Sequence, residues 1–402
     1  MSHKSNFGET NMKSNAKLTI IILITLGIFF AIAPMITINP SFITANSDVI
    51  NFDKENLKIS ATTGKIHIDN NWTDAWSAGI CTGNGTYSEP YVIDDLVIDA
   101  EGSGSGIFIE NSIVYFKIKN CTLYGTESGS RWGAGIRLSN VNNSQLIGNN
   151  CSSNYVAIYL SYNDYNNTIT GNIVNDNGGG IYLSDSYYNT ISGNTINNNI
   201  WCGIYLDCSS NNIISGNTAC NNSVSGIYSS GIFLEDSNYN IIEGNTLNYN
   251  ERGIALSGSY NNISGNTANN NNDDGIFIIG NNNIISGNTA NNNNDYGIGL
   301  HYSNNNTITG NTANNNDNCG IRLLNSNYNI VSGNVLMGNY ICILETDCEG
   351  NIFKNNDCTL TLSLNYLPNI LVISITIVGI SVFIIYQNRK RFKRPQQDLE
   401  FL

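Results

Sequence analysis

The sequence predicts an all-β chain, a parallel β-helix whose coils repeat every 22–23 residues, and three observations lead there. The first is a Gly-Ile-x-Leu-like phrase that puts Ile at 136, 158, 181, 204, 232, 254, 276, 298 and 321. Successive intervals are 22, 23, 23, 28, 22, 22, 22 and 23. The second is an Ile-x-Gly-Asn phrase, with Asn at 149, 172, 194, 217, 245, 266, 288, 311 and 334. Two phrases keeping nearly one beat mark an internal repeat, which is the signature of a solenoid. The third is alternation: in Gly180-Ile181-Tyr182-Leu183 the Ile and Leu share a side. Period two means a strand, with the intervening residue outside.

Runs this short cannot bury themselves, but stacked on similar neighbours they form continuous ladders of Ile, Leu and Val. Gly and Asn fall where the chain must turn, because both tolerate left-handed backbone angles. Asn at one place in every coil also permits amide ladders along the stack. A leucine-rich repeat has a similar period, but Asn-Asn-Asn and Gly-Asn interrupt every candidate helix. Adding the coil at Ile107 and a degenerate one at Ile343 gives about ten coils, roughly 50 Å at ~4.8 Å per stacked strand. The ends of such a stack need covers. Residues 65–101, with Trp72, Trp76 and an apolar run at 91–98, are expected as the N-terminal cap, and 358–364 as a weaker C-terminal cover.

Charged residues are only 12 % of the chain, against roughly a quarter in ordinary domains. The net charge of −13 makes it a poor partner for a nucleic-acid backbone. Two apolar segments frame the chain, 18–38 after Lys4, Lys13 and Lys17, and 367–386 before Arg389, Lys390 and Arg391. Both are long enough to cross a bilayer, and the positive-inside rule places both flanks in the cytoplasm. The expected division is a cytoplasmic tail 1–17, an anchor or cleaved signal 18–38, a linker 39–64, the cap 65–101 and the β-helix 102–358. A linker 359–366, a transmembrane helix 367–386 and a basic cytoplasmic tail 387–402 follow. The protein is thus expected at the cell membrane with its solenoid extracytoplasmic. Ten cysteines in an exported chain permit disulfides, and Cys202 with Cys208, and Cys342 with Cys348, are expected within reach inside single coils.

The run Gly83-Asn84-Gly85-Thr86-Tyr87-Ser88-Glu89-Pro90-Tyr91-Val92-Ile93, followed by units such as Tyr188-Asn189-Thr190-Ile191-Ser192-Gly193-Asn194, carries a resemblance. Over about residues 65–358 the chain resembles right-handed β-helix proteins of the NosD type, grouped with repeats of carbohydrate-binding proteins and sugar hydrolases. Its run-in also resembles that of archaeal surface proteins. The resemblance implies the right-handed fold and says little about activity, since this scaffold serves unlike functions. Similar glycosidases and lyases carry clustered Asp pairs with Gly-His-Gly and Arg-x-Lys motifs, or Lys/Arg bases over a calcium site. Those phrases are absent. Copper is implied by some family names, yet copper sites gather His, Cys or Met, and the three His lie far apart in sequence. His301 is expected as a solvated strand-end residue.

One outer face draws a functional expectation. The residue after the repeat Ile is Tyr159, Tyr182, Tyr205 and Phe233 in four consecutive coils, with Asp207 and Glu235 two positions further and Asp185 one beyond. The long interval carries an insertion at about 223–230, and insertions often mark a solenoid's working face. Aromatic rings beside carboxylates suit a sugar, whose C–H face packs on the ring and whose hydroxyls donate to the acids. An aromatic ladder also stabilises a sheet without any ligand. A second group, Glu251, Asp273 and Asp295, stands three residues before the repeat Ile in consecutive coils. Oxygen ligands of this kind favour calcium, with solvated turn charge the simpler expectation and no cofactor required. The reading is an anchored surface protein that binds glycans or serves adhesion or structural display, its partners being the membrane and glycans or surface-layer components. The alternative is a polysaccharide-processing hydrolase or lyase using Asp207 and Glu235, since acids on adjacent coils can approach the ~5–5.5 Å of a retaining pair.

Overall fold

Burial alternates along the repeat strands: in Ile204–Asp207, Ile204 and Leu206 are fully buried while Tyr205 and Asp207 face outward. In the computed structural model, which describes residues 61–126, 133–222 and 229–358, these strands stack into a right-handed parallel β-helix of about eleven turns. The first side is a 12-stranded sheet running from Ile66–Asp69 to Ile341–Thr346, and the second a 12-stranded sheet from Tyr91–Asp94 to Ile352–Lys354. The third side starts as a four-stranded sheet and continues as single parallel bridges, from Ile173 and Thr195 to Val335 and Asp357. Each strand pairs with its counterpart one coil away, so Ile181 meets Ile204 and Ile204 meets Ile232. The last pairing crosses 28 residues, which confirms the long coil, although 223–228 of its insertion lie outside the described residues.

Inside, the first side contributes Ile and Leu, the second mostly Ile, and the third narrows from Ile98 and Leu123 to Ala268, Ala290 and Ala313. Three buried Asn ladders hold the corners. In one of them Asn217 donates from N and Nδ2 to Asn245 Oδ1 at 2.9 and 3.0 Å. Asn245 Nδ2 in turn donates to Ile214 O and Asn266 Oδ1, each at 2.9 Å. The other two run through Asn177, Asn199 and Asn222, and through Asn189, Asn212 and Asn240. A buried amide that satisfies its donors and acceptor in both directions locks coil to coil, where an unpaired one would be costly.

Segment 65–101 is more than a cap: Tyr91–Asp94 and Leu96–Asp99 pair in register with Phe116–Lys119 and Thr122–Tyr124, completing a first coil. Covering falls to the short helix α1, Trp72–Ser77, whose Trp72 is buried against Tyr91 and Phe116 and donates to Ser112 Oγ at 2.8 Å. Cys342 is bridged to Cys358 rather than Cys348. Cys348 falls in the register of Ser326, where its sulfur accepts the Ser326 N–H while packing against the edge of the core. Cys202 and Cys208 flank the extended strand Ile204–Asp207, which holds them apart. The apolar segments 18–38 and 367–386, with their tails, lie outside the described residues, and no helix among the described residues is long and apolar enough to cross a membrane.

Candidate functional site

Outward residues of the first side are aligned by strand register: Tyr159 beside Tyr182, Tyr182 beside Tyr205, and Tyr205 beside Phe233. The aromatic column expected from the repeat is therefore real, but its members differ. Tyr159 is only 5 % exposed, packed with Ala134 and Val156 and roofed by the Arg137 guanidinium 5.7 Å from its ring centroid. At strand spacing, bulky neighbours on both sides cover it, and burial pushes its phenol up to about 12. It is a packing residue, not an exposed contact. Tyr182 lies over Gly179, where a Cβ would sit 2.8 Å from the ring, and burial raises its phenol strongly.

Tyr205 and Phe233 face out more fully and stack at 5.3 Å with planes 12° apart, while Tyr182 meets Tyr205 edge-on at 5.2 Å. The Tyr205 hydroxyl donates to Glu235 Oε2. Asp207 and Glu235 are register partners on adjacent strands, and Asp207 is pushed upward, chiefly by burial with Glu235 adding to it. Asp185 turns off this face onto the corner, exposed, with φ 49°. Structure thus gathers Tyr205, Phe233, Asp207 and Glu235 into one half-buried patch.

Further along the same side stands a second group. Oxygens of Asp273, Asp274 and Asp295 lie within 4.8 Å of one another; Glu251 is not among them. Arg252 bonds Asp273 and reaches Asp274 Oδ2 with Nε at 3.3 Å, its guanidinium 4.6 Å from the Phe277 ring centroid. This is a partly buried ion-pair cluster rather than solvated turn charge. Burial pushes Asp274 up to about 7, with Asp273 adding and Arg252 opposing. Sequence reasoning passed over Arg252, which is visible only when the residue two before each repeat Ile is read as a column. His301 is likewise only partly solvated: its ring meets Phe277 edge-on at 4.8 Å, its Nε2 is buried without a hydrogen-bond partner, and burial lowers its pKa. Gly299 makes room here, since a Cβ would lie 3.2 Å from the Tyr296 ring and 3.4 Å from Phe277.

The periplasmic alginate epimerase AlgG is similar in structure, with TM-score 0.52 at 16 % identity over 74 % of this chain and 84 % of that one. A double mutant of AlgG gives 0.56 at 16 % identity, over 74 % and 85 %. At such identity the likeness establishes the fold alone. No curated protein matches the chain in sequence. The sequence does match the family described as "Periplasmic copper-binding protein (NosD)", over residues 126–283 and 229–360.

Copper does not fit the described residues. Their one group of three or more close metal-ligating side chains is Asp273, Asp274 and Asp295, an all-oxygen set that Arg252 already engages. Copper prefers imidazole and sulfur donors in company, whereas His67 stacks on Phe108 and bonds Glu110, and Met337 is the only methionine described. The two matched spans together cover 126–360 of 402 residues, more than half the chain, and on that ground the chain belongs to the NosD family.

Proposed function

We propose that this chain is an extracytoplasmic β-helix, held at the cell membrane by segments 18–38 and 367–386, that binds glycans along the outer face of its first side. The observation that carries the reading is the Tyr205–Phe233 stack with Asp207 and Glu235 in register beside it. Stacked rings offer an apolar platform to a sugar face, and the flanking carboxylates accept its hydroxyls. The family's periplasmic description supports the location, and AlgG, an alginate epimerase on the same fold, supports a polysaccharide as partner. Cell-wall or surface-layer glycans are the partners this location offers. Calcium has no necessary place in the reading, because Arg252 supplies the positive charge that Asp273 and Asp274 require.

The test is a glycan array probed with the full chain, with and without chelator. Two aromatic contacts at about 0.5–1.5 kcal/mol each correspond to about tenfold in affinity. Replacing Tyr205→Ala together with Phe233→Ala is expected to weaken binding by about that factor, and chelator to leave it unchanged. Unaltered binding by the double variant would sink the reading. Release of reducing sugar from a bound polysaccharide, lost in Glu235→Gln, would instead make the chain a hydrolase.

A further inference from the structure

The corner between the first and second sides carries a run of exposed tyrosines. In register from coil to coil, one corner position is Asn166, Tyr188, Asn211, Tyr239, Tyr260 and Asn282, and it continues through Asn305 to Tyr328. Every one of these residues has a left-handed backbone, with φ between 48° and 60° if the neighbouring corner residues Tyr302 and Asn325 are included. Asn tolerates that conformation; a bulky side chain does not, and there it is an outlier. Tyr188, Tyr239, Tyr260 and Tyr328 are nonetheless placed in it, and Tyr162 and Tyr302 stand four and three residues earlier in their own coils, also left-handed. All six rings are between 52 % and 65 % exposed. Tyr239 and Tyr260 stack face to face at 5.0 Å with planes 5° apart, and Tyr188 stacks on Tyr165 at 6.2 Å.

Each of these tyrosines combines a disfavoured backbone with an exposed apolar ring, while Asn, free of both costs, occupies the same position one or two coils away. Strain of this kind persists where function holds it. The corner also constrains what binds there. Its segments 162–167, 185–189, 208–212, 236–240, 258–261, 281–283, 302–306 and 325–329 contain no Lys or Arg, while Asp185 and Asp236 are exposed on it. A polyanion is disfavoured. Tyr188, Tyr239, Tyr260 and Tyr328 lie in single file at whole multiples of the ~4.8 Å coil rise, with Asn between all but the stacked Tyr239–Tyr260 pair. A globular partner needs a contiguous patch of roughly 800 Å², which a single file of rings on a convex edge does not offer.

We infer that the tyrosine corner is the track for one uncharged, extended polysaccharide strand lying parallel to the solenoid axis, with rings under its sugar faces and Asn amides at its hydroxyls. This takes from the reading above only that the ligand is a glycan, and adds to the first-side face a second site with a neutral ligand.

The experiment uses the full chain purified in detergent, with galactomannan, xylan and dextran as neutral probes and alginate as the anionic one, measured by calorimetry. The corner variant is Tyr239→Asn with Tyr260→Asn, which installs the residue that neighbouring coils already hold there and so preserves the fold. Its thermal midpoint is expected to stay level or rise, and its affinity for the bound neutral probe to fall at least about tenfold. Neutral binding that survives the corner variant but is lost in Tyr205→Ala with Phe233→Ala overturns the corner track and leaves the glycan reading standing. Preference for alginate over every neutral probe also overturns it. A parent chain that binds none of the four overturns both.

Discussion

Asp164 shows how one residue can write a pH dependence into a repeat. Later coils fill its position with Ser186, Ser209 and Ser237, and the Ser209 and Ser237 hydroxyls each accept the backbone N–H one coil earlier. Asp164 does the same work with a carboxyl: Oδ1 accepts from Val141 N, and Oδ2 from Ser161 N at 2.6 Å. Burial pushes it up to about 8, although the two N–H bonds and Arg137 pull the other way. A carboxyl that keeps its proton in the folded state stabilises the fold below its unfolded value near 4. That contribution is lost as pH climbs to about 8. Asp274 adds a fall of the same sign ending near 7. Urea denaturation across pH 4–9 is therefore expected to show stability declining with pH, and Asp164→Ser to flatten the profile by about one proton and exceed the parent in stability above about pH 8. An Asp164→Ser profile parallel to the parent's would contradict this.

At the scale of the element, the corner amides do as much as the strands. Asn266 accepts from Asn245 N and Nδ2 at 3.0 and 2.9 Å, and its own Nδ2 donates to Ile242 O at 2.8 Å and to Asn288 Oδ1 at 3.0 Å. Asn266→Ala leaves several buried groups unpaired and is expected to cost about 3 kcal/mol, whereas Asn356→Ala, at a half-exposed end of the same ladder, costs about 1 kcal/mol. Equal losses at the two places, measured by chemical denaturation, would mean the ladder is not what holds the coils. Much of this was legible in the sequence, because Gly-Asn recurs once per coil and alternation exposes the inward Ile. Two kinds of Gly were not distinguishable there. Gly193 in Gly-Asn has φ 63° with open space around it, while Gly203 before Ile204 has no such angle, and a Cβ there would lie 2.6 Å from Gly231 O. Site details were less legible, because they depend on what neighbouring coils cover. Tyr159 and Tyr205 hold one repeat position, yet Arg137 and its neighbours bury the first; the corner tyrosines show themselves only once φ and exposure are known together.

For the whole solenoid, each coil touches mainly its two neighbours, so stability is nearly a sum of coils and interfaces, and the last coil has one interface fewer. The Cys342–Cys358 bridge sits at that end. Its position follows the interior pattern: Cys342 takes the place that Gly320 holds one coil earlier, and Cys358 the place of Leu336, which Gly320 faces so closely that a Cβ would come within 3.1 Å of Leu336 Cβ. The disulfide thus replaces an apolar contact across the interior in a coil whose strand Ile341–Thr346 is only partly covered. Closing a 16-residue span is worth about 3 kcal/mol in chain entropy. In a near-additive stack that contribution is felt locally. Hydrogen exchange on the oxidised chain should find protection extending into 341–354, and reduction, or Cys342→Ser, should remove it there and in the adjoining strand Cys319–Leu324. Coils around Ile204 and Ile232, several interfaces away, should exchange as before. A uniform loss of protection along the chain on reduction would show instead that the solenoid unfolds as one cooperative body, and the additive account would have to be given up.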